Sequence, residues 1–239
     1  MKHQQLTAIA ARLGLRAGAA LLLAGAAAPV LAGPGEDLLK QQCIACHAVT
    51  KPEQTSLARL WDRKAPDLHY AGDKFNRDWL VAWLQNPVAI RPSGVMYAKV
   101  AKASADKSAD VIDAAALPPH PKLAADQAAL AADALMALKV PGLVEKGAFK
   151  NEPVNASFAS MLFSKLRGCT SCHAAKPGGG GVSGPELYTG GDRLQPDYVA
   201  SYIRDPQKFD KHTWMPSLGL NDGDVQKLTG YVSTLKGKK

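Results

Sequence analysis

Two short stretches decide how this chain is read: Cys43-Ile44-Ala45-Cys46-His47 and Cys169-Thr170-Ser171-Cys172-His173. Together they hold all 4 cysteines of a 239-residue sequence. Two thiols three positions apart share one helical turn, and an imidazole follows each pair at once. This is the attachment pattern of c-type haem. The thiols reach both vinyl groups of one porphyrin, and the histidine lies beneath the iron as proximal ligand. A four-thiolate zinc site or two short disulfides would also use the cysteines, but neither accounts for a histidine after both pairs. The expectation is two haem c groups, attached at Cys43, Cys46, Cys169 and Cys172, with His47 and His173 as proximal ligands and no zinc.

Working outward from each histidine exposes an internal repeat. Ala65-Pro66-Asp67-Leu68 answers Gly184-Pro185-Glu186-Leu187, and Gly72-Asp73 answers Gly191-Asp192. Trp79 to Pro87 then answers Tyr198 to Pro206. Aromatic residues four apart with apolar ones between them predict a helix stopped before proline. From Pro66 to Pro87 is 21 positions, as is Pro185 to Pro206, and a methionine follows 9 positions later in each half, Met96 and Met215. Helices are further expected before each cysteine pair, over Glu36–Gln42 and Ser157–Phe163. Two more close the halves, Ala124–Lys139 and Asp222–Lys236, the last capped by Asn221 or Asp222. The halves differ in the approach to Pro66, longer by 7 residues, and after Met96, longer by 22. The organisation read from this is a first unit over 33–140 with an insertion at about 98–119, a linker over 141–153, and a second unit over 154–239. The insertion, rich in Ala, Lys, Asp and Ser, reads as a polar surface excursion.

The start of the chain has a different character. Lys2, Arg12 and Arg16 precede an uncharged Ala- and Leu-rich run, Ala17 to Ala32, that closes in Val30-Leu31-Ala32. A secretory leader over 1–32, cleaved before Gly33, is expected, and with it a periplasmic location. Of the formal charge of +8, three positive charges lie in that leader. The remaining +5 would be nearly offset by four haem propionates, so the basic balance is no argument for nucleic acid. No Ser-His-Asp order, paired-carboxylate motif or nucleotide fingerprint stands in the sequence.

Over Gly35 to Lys236 the sequence resembles the class I cytochromes c in their tandem two-haem arrangement. The resemblance rests on the two C-x-x-C-H motifs, the Pro-x-Leu segments, the helices ending in Asn86-Pro87 and Asp205-Pro206, the methionines and the closing helices. It implies an all-α fold of two tandem domains, each a few helices around one covalently bound haem. It also implies that the carbonyls of Pro66 and Pro185 orient His47 and His173, and that methionine sulfur is the distal ligand. Trp214-Met215-Pro216 matches the family's Met-Pro, which makes Met215 the expected distal ligand of the second haem. In the first half Tyr97 follows Met96 where proline is usual, and His120 stands in Leu117-Pro118-Pro119-His120-Pro121. Met96 is the expected distal ligand there, with His120 as the alternative.

The function implied is single-electron transfer between redox partners, themselves periplasmic or membrane-bound (a dehydrogenase, an oxidase or another cytochrome), rather than enzymatic turnover. Two alternatives stay open at this point. One is a dihaem oxidoreductase with an open or exchangeable distal site at the first haem. The other is a cytochrome subunit docked to a dehydrogenase or oxidase.

Overall fold

The structure, a computed structural model, describes residues 33–88, 90–91 and 94–237; the leader expected over 1–32 lies outside the described residues. The chain is mostly helical. Its N-terminal half carries α1 (Pro34–Gln42), α2 (Leu57–Asp62), α3 (Ala71–Lys74), α4 (Arg77–Gln85) and α5 (Ala125–Ala137). Its C-terminal half carries α6 (Ala156–Met161), α7 (Gly190–Arg193), α8 (Pro196–Arg204) and α9 (Asp222–Thr234). Among the described residues no helix is long and apolar enough to cross a membrane.

Local chemistry accounts for several helix ends. Pro34 and Pro196 occupy the first turns of α1 and α8, where a missing N–H costs no hydrogen bond. Asn155 and Asn221 cap α6 and α9, their side-chain oxygens each accepting a backbone N–H at 2.9 Å. Helices α4 and α8 stop at Gln85 and Arg204, because the residue before each following proline is pushed out of the helical region.

The repeated Gly-Asp pairs tie each short helix to the end of the last helix in its half. Gly72 N–H donates to Leu138 O at 2.8 Å and Gly191 N–H to Leu235 O at 2.7 Å. The aspartates complete the tie, accepting from Val140 N–H at 2.9 Å on Asp73 and from Gly237 N–H at 2.6 Å on Asp192. Helices α1 and α5 also cross closely. A Cβ added at Gly35 would lie 2.5 Å from Leu130 O, so only glycine fits that crossing.

The halves meet through equivalent residues, 119 positions apart like Pro66 and Pro185. Phe75 and Leu194 form an antiparallel bridge. Asn76 N–H donates to Arg193 O at 2.8 Å, and Gln195 N–H returns the bond to Lys74 O at 2.9 Å. One hydrophobic core, from Leu38 and Leu80 to Tyr198 and Leu228, runs through both halves. Tyr70 stacks on Tyr198 across the junction, with ring centroids 6.3 Å apart.

One expectation needs amendment. The insertion holds a β-hairpin, so the fold is not wholly α. Its strands, β1 (Ala101–Ala103) and β2 (Asp110–Ile112), pair antiparallel with Ala101 opposite Ile112. Lys107 takes φ 59 in the turn, and the Asp106 carboxylate gathers Ser104 Oγ at 2.6 Å and Ser108 N–H at 3.1 Å. Residues 147–150, within the stretch expected as a linker, are hydrogen-bonded to the second half. The Asp197 carboxylate accepts the N–H groups of Gly147 and Phe149 at 2.8 and 2.9 Å, and Gln226 that of Lys150 at 2.8 Å.

Candidate functional site

Each Cys-x-x-Cys-His stretch is one tight turn that follows a helix. In the first, Cys46 N–H and His47 N–H both donate to Cys43 O, at 3.1 and 2.9 Å. In the second, Cys172 N–H and His173 N–H donate to Cys169 O, at 3.2 and 2.9 Å. All four thiols are free; the first of each pair is partly buried and the second exposed.

The histidines are held alike. Nδ1 of His47 bonds Pro66 O at 2.7 Å, and Nδ1 of His173 bonds Pro185 O at 2.7 Å. A carbonyl oxygen only accepts, so Nδ1 carries the proton and Nε2 keeps its lone pair in both rings. The geometry that the resemblance implied for these prolines is present. Burial pushes both imidazoles below the ordinary histidine value, against the raising effect of the proline carbonyls. The neutral form, the one that ligates metal, is therefore favoured.

Both imidazoles border one continuous cavity of about 810 Å³, which Met96, His120 and Met215 also line. Met215 is partly buried, and its carbonyl accepts from Gln207 Nε2 at 2.8 Å. Met96 is partly buried and precedes a short 3-10 turn over Tyr97–Lys99. His120 stands with its ring centroid 6.3 Å from that of His47 and 4.5 Å from that of Trp83. Trp79, Trp83 and Trp214 border the cavity too, Trp214 with 65% of its surface exposed, while Trp61 is 49% exposed and lies outside its lining.

The structure adds two residues that motif reading missed. Lys74 and Arg193, at equivalent positions of the two halves, line the cavity and are only 7% and 6% exposed. Among the described residues neither makes an ion pair. Lys74 Nζ instead lies 4.9 Å from the Phe75 ring centroid and 5.6 Å from that of Tyr198. Burial, then the charges of Arg193 and Arg63, push its ammonium down to about 7. Arg193 donates through Nη2 to Glu186 O, and its buried Nε has no partner. The signal was in the sequence: a basic residue recurs directly after each Gly-Asp step, facing the same apolar context.

A haem fits this donor set. Paired thiols would take its vinyl groups, the Nε2 atoms its iron, and the apolar and aromatic walls its ring. Its carboxylates would meet the cations that burial leaves without an anion. When bound there, haem supplies an iron that changes between ferric and ferrous states without a change of ligands.

No curated protein and no solved structure matches the chain. Residues 159–232 match the family model described as cytochrome C oxidase, cbb3-type, subunit III, a span that holds Cys169, Cys172, His173 and Met215. That similarity supports a cytochrome c, with covalently bound haem c and a role in haem-based electron transfer.

Proposed function

We propose that the chain is an exported dihaem c-type cytochrome that passes single electrons between periplasmic or membrane-bound redox partners. In this reading residues 33–140 and 154–239 are tandem cytochrome c domains. Cys43 and Cys46 hold one haem above His47, and Cys169 and Cys172 hold the other above His173, with Met215 as distal ligand of the second. The observation that carries the reading is the recurrence of one arrangement in both halves. Each has a Cys-x-x-Cys turn, an imidazole held through Nδ1 by a proline carbonyl at 2.7 Å, and an Nε2 left for iron, around one shared cavity.

The chain's own contribution is to hold and to insulate. The proline carbonyls fix the ring orientation of each proximal imidazole. The junction of Phe75 with Leu194 and Tyr70 with Tyr198 keeps the two sites in one packed body, so that an electron accepted at one can leave from the other.

Intact mass after expression with haem-attachment machinery tests this. The expected product begins at Gly33 and carries two haems, and the double substitution Cys43→Ser, Cys46→Ser carries one. A wild-type mass with a single haem, or with none, would overturn the proposal.

A further inference from the structure

The first half offers two side chains for the face of the haem opposite His47, and the structure separates them. His120 and His47 have ring centroids 6.3 Å apart. Two imidazoles bound through nitrogen to opposite sides of one metal ion are separated by two bonds of about 2.0 Å and half a ring on either side, roughly 6 Å in all. The free nitrogens match as well. Nδ1 of His120 is engaged with Pro121 O at 2.9 Å, as that of His47 is with Pro66 O at 2.7 Å. Each ring is thereby left with its lone pair on Nε2.

His120 is also held where it stands. Pro118, Pro119 and Pro121 restrict the backbone around it. Three residues on, Leu123 N–H donates to Leu84 O at 2.9 Å, fastening the segment to the end of α4. The Trp83 ring meets the imidazole edge-on at 4.5 Å and is itself anchored, its Nε1–H donating to Val88 O at 3.2 Å.

The chain leading to Met96 is tied elsewhere. A Cβ added at Gly94 would lie 2.4 Å from Pro66 Cα, so this backbone rests on the residue that backs His47 from its Nδ1 side. Arg63 Nε donates to Gly94 O and holds it there. The flanking residues then turn toward the second half. Arg91 N–H donates to Glu186 at 3.0 Å, and the Tyr97 ring lies 6.5 Å from that of Trp214. In the second half only 5 positions separate Met215 from Leu220, whereas 27 separate Met96 from Leu123. The inserted residues carry the chain past Met96 and bring His120 to the cavity.

We infer that His120, not Met96, is the distal ligand of the first haem, which makes the two sites unlike: bis-histidine in the first half, His173 with Met215 in the second. This rests on the two-haem reading above. Thioether ligation raises the potential of a haem relative to two imidazoles. The first haem is then the lower-potential site, and electrons run from the first half to the second.

The test uses the purified two-haem holoprotein. Ferric near-infrared magnetic circular dichroism is expected to show one bis-imidazole and one imidazole–thioether haem in equal amounts. Met96→Leu leaves both signatures in place. His120→Ala loses the bis-imidazole signature, and half of the haem then binds carbon monoxide when reduced. His120→Met converts that signature to a second thioether one and moves the lower redox wave upward. Two thioether haems in the wild type, a high-spin wild-type haem, or loss of low-spin ligation in Met96→Leu would each overturn the assignment. Where His120→Ala yields no protein, the wild-type spectrum and Met96→Leu decide alone. Failure of the two-haem reading shows separately, as a wild-type mass carrying a single haem.

Discussion

Gly184 shows how closely one residue can control the second site. A Cβ added there would lie 2.5 Å from Cε1 and 2.6 Å from Nδ1 of His173. The ring must then turn, and its 2.7 Å bond to Pro185 O must lengthen or break. Gly184→Ala is expected to disturb the His173-ligated haem and to cost about 1–3 kcal/mol, the range for overpacking. The check is thermal unfolding of the holoprotein, with the low-spin spectrum resolved by haem. The first half carries Ala65 at the matching position, 18 positions from His47 where Gly184 is 11 from His173. Ala65→Gly should therefore leave the first haem unchanged. Legibility differed by kind at this scale. The cysteines, histidines and prolines could be placed from sequence because each acts within a local turn or through a strict spacing. The recurrence of Lys74 and Arg193 after each Gly-Asp step could be read there too, but not their burial, because burial of a cation is a property of what surrounds it. The choice between Met96 and His120 stayed open because the nine-residue step from Pro87 to Met96 shows that the halves share a spacing, not where an insertion sends the chain.

At the scale of elements, the most demanding contacts are those that dock a short helix against the last helix of its half. A Cβ at Gly72 would sit 2.1 Å from Met136 O, and one at Gly191 2.2 Å from Ser233 O. Both neighbours are backbone, so the helices themselves must separate. Gly72→Ala and Gly191→Ala are each expected to destabilise by about 3 kcal/mol, at the upper end for small-to-large changes. The Gly72 N–H and Gly191 N–H bonds at 2.8 and 2.7 Å would be stretched in the same movement. Denaturant unfolding of each variant measures this, and a loss below 1 kcal/mol would refute the crossing geometry. The recurrence of Gly-Asp was visible in the sequence, but its purpose was not, since the partner carbonyls of Leu138 and Leu235 lie 66 positions away in one half and 44 in the other. The hairpin was invisible for a simpler reason. Strands of 3 residues, Ala101–Ala103 and Asp110–Ile112, are too short to show alternation. They are stabilised instead by turn contacts around Asp106 and by the Tyr97 hydroxyl donating to Asp110 at 2.9 Å.

For the molecule as a whole, the junction of the halves has a charged clasp beside its apolar one. Arg63 bridges Asp67 at 2.9 Å in its own half and Asp210 at 3.0 Å in the other, while Arg59 reaches Asp67 at 2.6 Å. The side chains of Arg63 and Asp67 are 7% and 11% exposed, so salt screens them little. Burial raises the Asp67 carboxyl, but the hydrogen bond and charge of Arg59 and the charge of Arg63 outweigh it, and the net direction is downward. A carboxyl depressed on folding stabilises the folded state above its unfolded pKa of about 3.9. That contribution is lost as the pH falls through the lower, folded value. Asp67 is therefore expected to contribute fully from neutrality down to about pH 5 and to lose that contribution below pH 4, while the buried imidazoles of His47 and His173, depressed on folding, lower the thermal midpoint between pH 7 and about pH 5 independently of Asp67. Asp67→Asn should start lower at pH 7, by about 3 kcal/mol for a buried pair that loses one partner, and should fall less steeply in acid. Midpoints measured across that range decide the point. Parallel acid limbs for the two proteins would show that Asp67 is not what links the joined halves to pH.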